Sequence, residues 1–210
     1  MSDDFPILNP AEARILGSLI EKKELTPDVY PLTVNGALAA ANQKTAREPV
    51  MELAQTEVYR ALKMLIEKGL VRQLSATRVE RYEHVLPQKF SLTQPQIAII
   101  GLLLLRGPQT AHELMARSER MARFQSVDQL RGDLDLLIGR RPPLLQLIER
   151  GPGQREDRYA QLLTGPVQAT AAPASGAVAS SYSSDLEGRV EALERQVAEL
   201  TEKLRILAGD

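Results

Sequence analysis

Apolar residues recur every three or four positions in several stretches of the chain, which is the spacing of one buried helix face. The first stretch begins with Asn9, a good N-cap residue, and Pro10, which is favoured at the first helical position. The predicted buried side of this helix carries Ile15, Leu16, Leu19 and Ile20. A second, alanine-rich helix is predicted over residues 32–43, and a third over residues 57–68.

The third predicted helix is followed by a change to alternating apolar and polar positions. We expect Thr56 to cap this helix and Gly69 to end it. Its predicted buried stripe is Val58, Leu62, Leu65 and Ile66. Residues 70–75 and 79–85 alternate with a period of two, which predicts a β-hairpin that turns around Ala76 to Arg78.

A second part of the chain repeats this order of three helices and a hairpin. Helices are predicted over residues 93–106, 110–118 and 126–139, and a hairpin over residues 144–163. Three short segments match their earlier counterparts in the same order: ILGSLI (15–20) and IIGLLL (99–104), LKMLI (62–66) and LDLLI (134–138), ERYEHVL (80–86) and DRYAQLL (157–163). These matches indicate a duplicated module.

Three helices followed by a hairpin are the order of elements in the winged helix-turn-helix, whose third helix enters a DNA major groove. The sequence therefore predicts a mainly α fold with small β-hairpins (α+β). We expect two tandem winged-helix domains, over residues 1–88 and 89–163, in which each hairpin is the wing.

The last part of the chain has a different composition. Residues 164–184 are almost entirely Ala, Ser, Gly, Pro, Thr and Val and carry no charge, which is typical of a flexible linker. Residues 185–210 then have a heptad repeat that predicts a coiled-coil helix, and β-branched a with leucine d positions favours a parallel homodimer. The alternative is a helix that docks on its own chain. The candidate dimerisation residues are Leu186, Val190, Leu193, Val197, Leu200, Leu204 and Leu207.

The composition narrows the class of protein. With 43% hydrophobic and 25% charged residues among 210, the chain is typical of globular proteins, and the absence of cysteine excludes disulfides and thiolate metal sites. No signal-peptide pattern is found, and the longest apolar run, residues 97–105, is shorter than the roughly 20 residues that span a bilayer. We expect a cytoplasmic protein with no membrane partner. A net charge of −1 means that any nucleic-acid binding depends on local basic patches.

Catalytic and metal-binding patterns are missing from the sequence. The two histidines, His84 and His112, lie in different predicted domains, and neither is next to a nucleophile. The glycines of residues 151–156 belong to a predicted hairpin turn and not to a phosphate loop. We expect no enzyme activity, no metal and no cofactor.

Basic residues on and around the third helix of the first domain are the candidates for nucleic-acid contacts. Arg60 and Lys63 are three positions apart and share one helix face. The remaining candidates lie before this helix and in the hairpin: Lys44, Arg47, Arg72, Arg78 and Arg81. Such side chains supply much of the affinity for DNA through phosphate contacts. The alternative is that they are solvated surface charges paired with nearby acids.

The third helix of the second domain has a different surface. Its predicted exposed residues are Asp128, Arg131, Asp133 and Asp135, an acidic set that a phosphate backbone would repel. Two hypotheses follow. The chain is either a DNA-binding regulator that dimerises through its tail, or a protein-interaction module whose winged-helix surfaces bind peptides or helices. The fold itself favours DNA, by analogy only.

The stretch NQKTAREPV (42–50) joins the second and third helices of the first domain and is unusually polar. Asn42 is expected to end the second helix in a left-handed conformation, and residues 49–53 could add a strand beside the wing. Arg47 and Glu48 are candidates for a structural ion pair, while Lys44 and Arg47 are alternatives for phosphate contacts. The structural interpretation is favoured.

Three motifs resemble one known family. The segments TPDVYPLTVNGALAAANQKTAREPVMEL (26–53), LLLLRGPQTAHELMARSERMARF (102–124) and GQREDRY (153–159) are similar to those of the YceH family of bacterial proteins. The similarity runs over essentially the whole chain. It implies tandem winged-helix domains, often with a C-terminal coiled coil, and implies no settled activity.

Overall fold

The computed structural model describes residues 5–74 and 79–167, and about half of these residues lie in helices. The first half of the described chain contains α1 (Pro10–Leu25), a 3-10 turn (Pro27–Val29), α2 (Val34–Ala41), α3 (Gln55–Glu67), β1 (Val71–Leu74) and β2 (Arg81–His84). A short helix that was not predicted, α4 (Leu86–Phe90), leads to the second half: α5 (Gln94–Arg106), α6 (Ala111–Ser118), α7 (Val127–Ile138), β3 (Leu145–Ile148) and β4 (Arg158–Gln161). The predicted mixture of helices with two small antiparallel hairpins is confirmed.

Local capping interactions define where most of the helices begin. At α1 the Asn9 side chain accepts from the Glu12 N–H at 2.9 Å, and the Glu12 carboxylate accepts from the Asn9 N–H at 3.0 Å. This reciprocal pair satisfies two N–H groups that a helix start leaves without partners. The predicted cap of α3 by Thr56 is wrong: the helix begins at Gln55, and the Glu57 carboxylate accepts from the Ala54 N–H at 2.7 Å.

The two hairpins are built in the same way. β1 pairs with β2 and β3 with β4, and each hairpin gains one further antiparallel partner from the residue before the N-cap of α2 or α6. Leu32 and Tyr82 exchange two backbone hydrogen bonds, of 3.1 and 2.8 Å. Gln109 and Tyr159 exchange two of the same lengths. Equivalent residues of the two halves therefore make equivalent contacts.

The first helices of the two halves, α1 and α5, pack against each other within one compact unit, Met1–Gln168. A Cβ atom added at Gly17 would lie 2.9 Å from Leu105 Cγ, and one added at Gly101 would lie 2.6 Å from Ile20 Cγ2. The two glycines occupy equivalent positions in the repeated ILGSLI and IIGLLL segments. Each glycine lets the partner helix approach closely enough to seat a branched side chain.

Some predictions concern residues outside the described part of the chain. They are Arg78, the linker from residue 168 onward and the whole heptad segment, residues 185–210, with its seven candidate dimerisation residues. Within residues 5–74 and 79–167, none of the helices combines the length and apolarity needed to cross a membrane.

Candidate nucleic-acid interface

The outward face of α3 forms one side of an open surface groove. Burial of Val58, Leu62 and Leu65 against the core turns the opposite face of this helix to solvent. The groove has a volume of about 610 Å³ and is mainly apolar, with basic side chains at its edge. Its lining residues are Val34, Gln55, Thr56, Tyr59, Arg60 and Lys63.

Tyr59 is the central exposed aromatic residue of this groove. Tyr59 is 44% exposed, and the Lys63 ammonium lies 5.3 Å from the centre of its ring. This is within the range of a cation–π contact. Tyr59 was not among the predicted site residues, although it stands one turn before Lys63 on the same helix. An aromatic ring beside basic groups gives the groove both a stacking surface and a positive edge.

Arg60 and Lys63 lie together in the groove, as their spacing predicts. Within the described part of the chain, Arg60 is exposed and makes no hydrogen bond or ion pair. The Lys63 ammonium donates to the Gln73 side chain of β1 at 3.3 Å, and Gln73 in turn donates to Glu80 at 2.7 Å. Because Gln73 is neutral, this contact does not compensate the positive charge of Lys63. This chain of contacts extends the surface of α3 to the first hairpin.

The two bases before α3 have different environments. Lys44 is exposed and, among the described residues, has no hydrogen-bond partner. Arg47 is buried, and its guanidinium donates to both carboxylate oxygens of Glu21 at 3.0 and 2.6 Å. It also donates to the Ala40 carbonyl and to the Gln43 side chain. Arg47 is therefore a structural residue with no donor facing outward, and its assignment as a phosphate contact is wrong.

The structural ion pair of Arg47 involves a different partner from the one predicted. The partner is Glu21 on α1, and Glu48 is instead exposed and uses its backbone N–H to donate to the Leu105 carbonyl at 2.8 Å. Burial alone would raise the pKa of Glu21, but the hydrogen bonds and charge of Arg47 outweigh this effect and lower the pKa. The carboxylate is consequently ionised in the folded protein.

The rest of the 42–50 stretch also differs from expectation. Asn42 has φ −88° and is not left-handed; its side chain instead accepts from the Leu53 N–H and donates to the Leu53 carbonyl, both at 2.9 Å. Residues 49–53, predicted as a possible strand beside the wing, form no strand. The Arg14 guanidinium donates to the carbonyls of Ala41 and Pro49. Side chains from α1 and α2 therefore hold this connection through its backbone, which explains its polar sequence.

The hairpin arginines are partly engaged by the protein itself. Arg72 is exposed and forms an ion pair with Glu83 on the opposite strand, with an Nε–Oε1 distance of 2.8 Å. Arg81 donates to the Pro31 carbonyl at 2.8 Å. Of the candidates in the described chain, Lys44, Arg60, Lys63 and Arg81 have no acidic partner, whereas Arg72 would have to leave Glu83 to bind phosphate.

The equivalent face of the second half is acidic at its centre. The buried leucines of α7 align in sequence with the buried stripe of α3. In this alignment Gly132 is equivalent to Arg60, and Asp135 is equivalent to Lys63. Asp128 and Arg131 approach to 3.5 Å, and Asp133 is half-buried and accepts from Gln96 at 3.0 Å. This face lacks the pair of cations found on α3.

The two histidines have different environments. His84 is buried, and within the described residues neither ring nitrogen has a hydrogen-bond partner. Burial, aided by the charge of Lys23, lowers the pKa of His84 to about 3, so this ring is neutral. His112 contacts the Glu156 carboxylate at 2.7 Å on the surface. Within residues 5–74 and 79–167, no group of three or more His, Asp or Glu side chains is placed so that it could hold a metal ion.

Comparison with known proteins places the chain in a family. Residues 8–154 match the model of the family described as protein of unknown function, DUF480. A UPF0502 protein of Mesorhizobium japonicum is 69% identical over 209 residues, which cover 100% of both chains. UPF0502 proteins of Xanthomonas axonopodis and Stenotrophomonas maltophilia are 54% and 48% identical, over 95% and 98% of this chain and 91% and 96% of theirs. The chain belongs to the DUF480 (UPF0502) family of bacterial proteins, and nothing here conflicts with the YceH resemblance.

Proposed function

We propose that the chain is a non-enzymatic, winged-helix DNA-binding protein whose first half makes the DNA contacts. In this proposal α2 and α3 are the helix-turn-helix, α3 enters the major groove and the β1–β2 hairpin is the wing. The single observation that carries it is the outward face of α3, where Arg60 and Lys63 flank the exposed ring of Tyr59.

The chemistry of this face suits nucleic acid. Arg60 has no partner of its own among the described residues, and Lys63 has only a neutral one, so both can pair with phosphate or a base edge without breaking an ion pair. Gln55 and Thr56 add hydrogen-bonding groups at the start of the same helix. The Lys63–Gln73 contact keeps the hairpin close to α3, as a wing that follows the groove requires.

Self-association belongs to the same proposal. A parallel pairing of the heptad segment would join two first halves and allow the protein to bind two half-sites. Sedimentation of the full chain checks this pairing: a Val197→Glu and Leu200→Glu variant is expected to be monomeric, and an unchanged mass would contradict the heptad assignment.

The test of DNA binding is fluorescence anisotropy of the full chain with labelled duplex DNA across a series of salt concentrations. Replacing Arg60 and Lys63 by glutamate is expected to weaken binding by more than about tenfold and to reduce the salt slope by about 2, one for each lost phosphate contact. The loss follows from removing two cations and placing two anions on the same face.

A matched control exists in the second half. Arg120 and Arg123 are exposed bases between α6 and α7, and replacing both by glutamate changes the net charge by the same amount. This control is expected to retain most of the affinity. The proposal is contradicted if the wild-type chain does not bind mixed genomic DNA at low salt, or if the control loses as much affinity as the α3 variant.

The second candidate function is a protein-interaction module, and one observation favours it. The exposed face of α7 carries Asp128 and Asp135 beside Leu136, whose side chain is 64% exposed. An exposed leucine among acids fits a basic, apolar helix or peptide better than it fits DNA. Affinity capture with the full chain, and with a Leu136→Ser and Asp135→Lys variant, tests this function. Absence of a stoichiometric partner that depends on these two residues would count against it.

A further inference from the structure

A cleft lies between the C-terminal part of α1, the 3-10 turn and α2, and we call it the α1–α2 cleft. Its volume is about 390 Å³ and its lining is mainly apolar. Leu32 and Val29 contribute apolar surface, and small residues of α2 leave the space open: Gly36, Ala39 and Ala40. Two cations, Lys22 and Arg81, also line it.

The two cations of the α1–α2 cleft have unused hydrogen-bonding capacity. Arg81 donates through Nη1 to the Pro31 carbonyl, and no other hydrogen bond of its guanidinium is found within the described chain. The Lys22 ammonium lies 3.3 Å from Glu21 and 3.4 Å from Gln43, both long distances for a charged donor. Glu21 is itself held by Arg47, so its charge is already compensated.

The second half has a position equivalent to the α1–α2 cleft, and there a carboxylate of the protein lies beside the arginine. Thr33 and Thr110 cap α2 and α6 in the same way, so the two helices can be aligned. In this alignment Gly36 is equivalent to Glu113, and Ala40 is equivalent to Arg117. Arg158 is the counterpart of Arg81 and also donates to a proline carbonyl, that of Pro108, at 2.9 Å.

The Glu113 side chain completes this arrangement in the second half. Its carboxylate lies 3.6 Å from both Arg158 and Arg117. In the first half the same arginine position is kept, but glycine replaces the carboxylate and an open cleft takes its place. The first half therefore lacks both members of the Glu113–Arg117 ion pair, keeps the arginine at position 81, and has an open volume where the carboxylate would lie.

We propose that the α1–α2 cleft binds a small amphipathic monoanion, such as a medium-chain or aromatic carboxylate. The carboxylate takes the position that Glu113 occupies in the second half and pairs with Arg81 and Lys22. The apolar part lies along Leu32 and the small residues of α2. Both interactions match the composition of the lining, which provides cations and apolar surface and no anion.

Isothermal titration calorimetry of the full chain with octanoate and with benzoate tests this site, with octanamide as the neutral counterpart of octanoate. Saturable binding of at least one carboxylate at concentrations below about 10 mM is expected, and octanamide is expected to bind at least about tenfold more weakly. No saturable binding of either carboxylate in this range overturns the proposal.

Two variants and a matched control locate the site. Gly36→Glu supplies the carboxylate found in the second half and is expected to abolish binding while the chain stays folded, because a Cβ at this position meets only ordinary contacts of 3.5 Å or more. Arg81→Gln is expected to weaken binding about tenfold, whereas Arg158→Gln leaves it unchanged. Unaltered binding by Gly36→Glu, or equal effects of the two arginine variants, would reject the assignment. Because the heat of binding is measured without DNA, the result is independent of the DNA-binding proposal.

Discussion

The helices α3 and α7 bury equivalent residues and expose different chemistry. Val58, Leu62 and Leu65 of α3 are matched by Leu130, Leu134 and Leu137 of α7, all of them fully buried. On the outside, Arg60 and Lys63 are replaced by Gly132 and Asp135. Packing constrains the inner positions of both copies, whereas solvent tolerates either charge on the outer ones.

Other parts of the two halves also combine shared structural contacts with residues that differ. The backbone pairing of Tyr82 is repeated by Tyr159, and the arginine–proline contact of Arg81 is repeated by Arg158. Among the described residues, the second half has Glu113 at the position of Gly36 in the α1–α2 cleft and Leu105 at the position of the buried Glu21. Shared contacts therefore define the scaffold, and the differences identify residues to test for function.

The largest effect is expected where the first half buries an ion pair and the second half does not. The position equivalent to Glu21 is Leu105 in α5. Replacing Glu21 by alanine leaves the Arg47 guanidinium buried without its anion, and we expect a loss of about 3–5 kcal/mol in the free energy of unfolding. Urea denaturation measures this loss.

A double variant separates the charge from the packing. Glu21→Leu combined with Arg47→Leu removes both charges, so it is expected to be more stable than Glu21→Ala. Equal stability of the Glu21→Ala variant and the wild-type chain would show that the buried ion pair does not stabilise the first half.

The next effect tests a feature that the halves share. Gly101→Ala places a methyl group 2.6 Å from Ile20 Cγ2, and Gly17→Ala places one 2.9 Å from Leu105 Cγ. Each change is expected to destabilise the fold by about 1–3 kcal/mol through overpacking of α1 against α5.

Gly132 is the control for these two glycines, since a Cβ there meets no atom within 4 Å. Gly132→Ala lies on the exposed face of α7 and is expected to stabilise the fold by about 0.5–1 kcal/mol. Thermal unfolding monitored by circular dichroism compares the three variants. A stabilised Gly101→Ala variant would contradict the close approach of α1 and α5.

The last effect concerns pH and a second difference between the halves. His84 of the first half is replaced by Gln161 in the second. Burial lowers the pKa of His84 from 6.5 to about 3, so below pH 6.5 the unfolded chain binds a proton that the folded chain does not. Above pH 6.5 the ring is neutral in both states and contributes no pH dependence.

This difference in proton binding destabilises the folded protein as the pH falls from 6.5 towards 3. The expected contribution is about 1.4 kcal/mol of lost stability per pH unit, measured as the free energy of unfolding in urea at several pH values. The His84→Gln variant, which carries the residue of the second half, is expected to lack this part of the slope. An identical slope in both proteins would show that His84 is protonated in the folded state.

Much of the fold could be predicted because helix ends and hairpins depend on neighbours in the sequence. The cap at Asn9 and the left-handed Gly69 after α3 lie where expected, and α5, α6 and α7 each begin one residue after the predicted start. Local reasoning failed at Thr56, because the Glu57 carboxylate accepts from the Ala54 N–H instead. It also failed at Asn42, whose own side chain pairs with the backbone of the distant Leu53.

The candidate interface was predicted only in part. The spacing of Arg60 and Lys63 was sufficient to place them on one face, because that spacing is a property of the helix itself. The burial of Arg47 and its ion pair were not predictable in the same way, since its partner Glu21 is 26 residues away. Tyr59 carried a detectable signal, an aromatic residue four positions before Lys63 on a predicted exposed face.

The sequence by itself determined the type and order of the helices and strands, the duplication, and the contrast between a mixed-charge face on α3 and an acidic face on α7, because these depend on periodicity and on short-range contacts. Only the tertiary structure decided that α1 and α5 pack at Gly17 and Gly101, that Arg47 is buried and that a cleft lies beside Arg81. These features depend on contacts between residues far apart in the chain, and such contacts leave no periodic trace in the sequence.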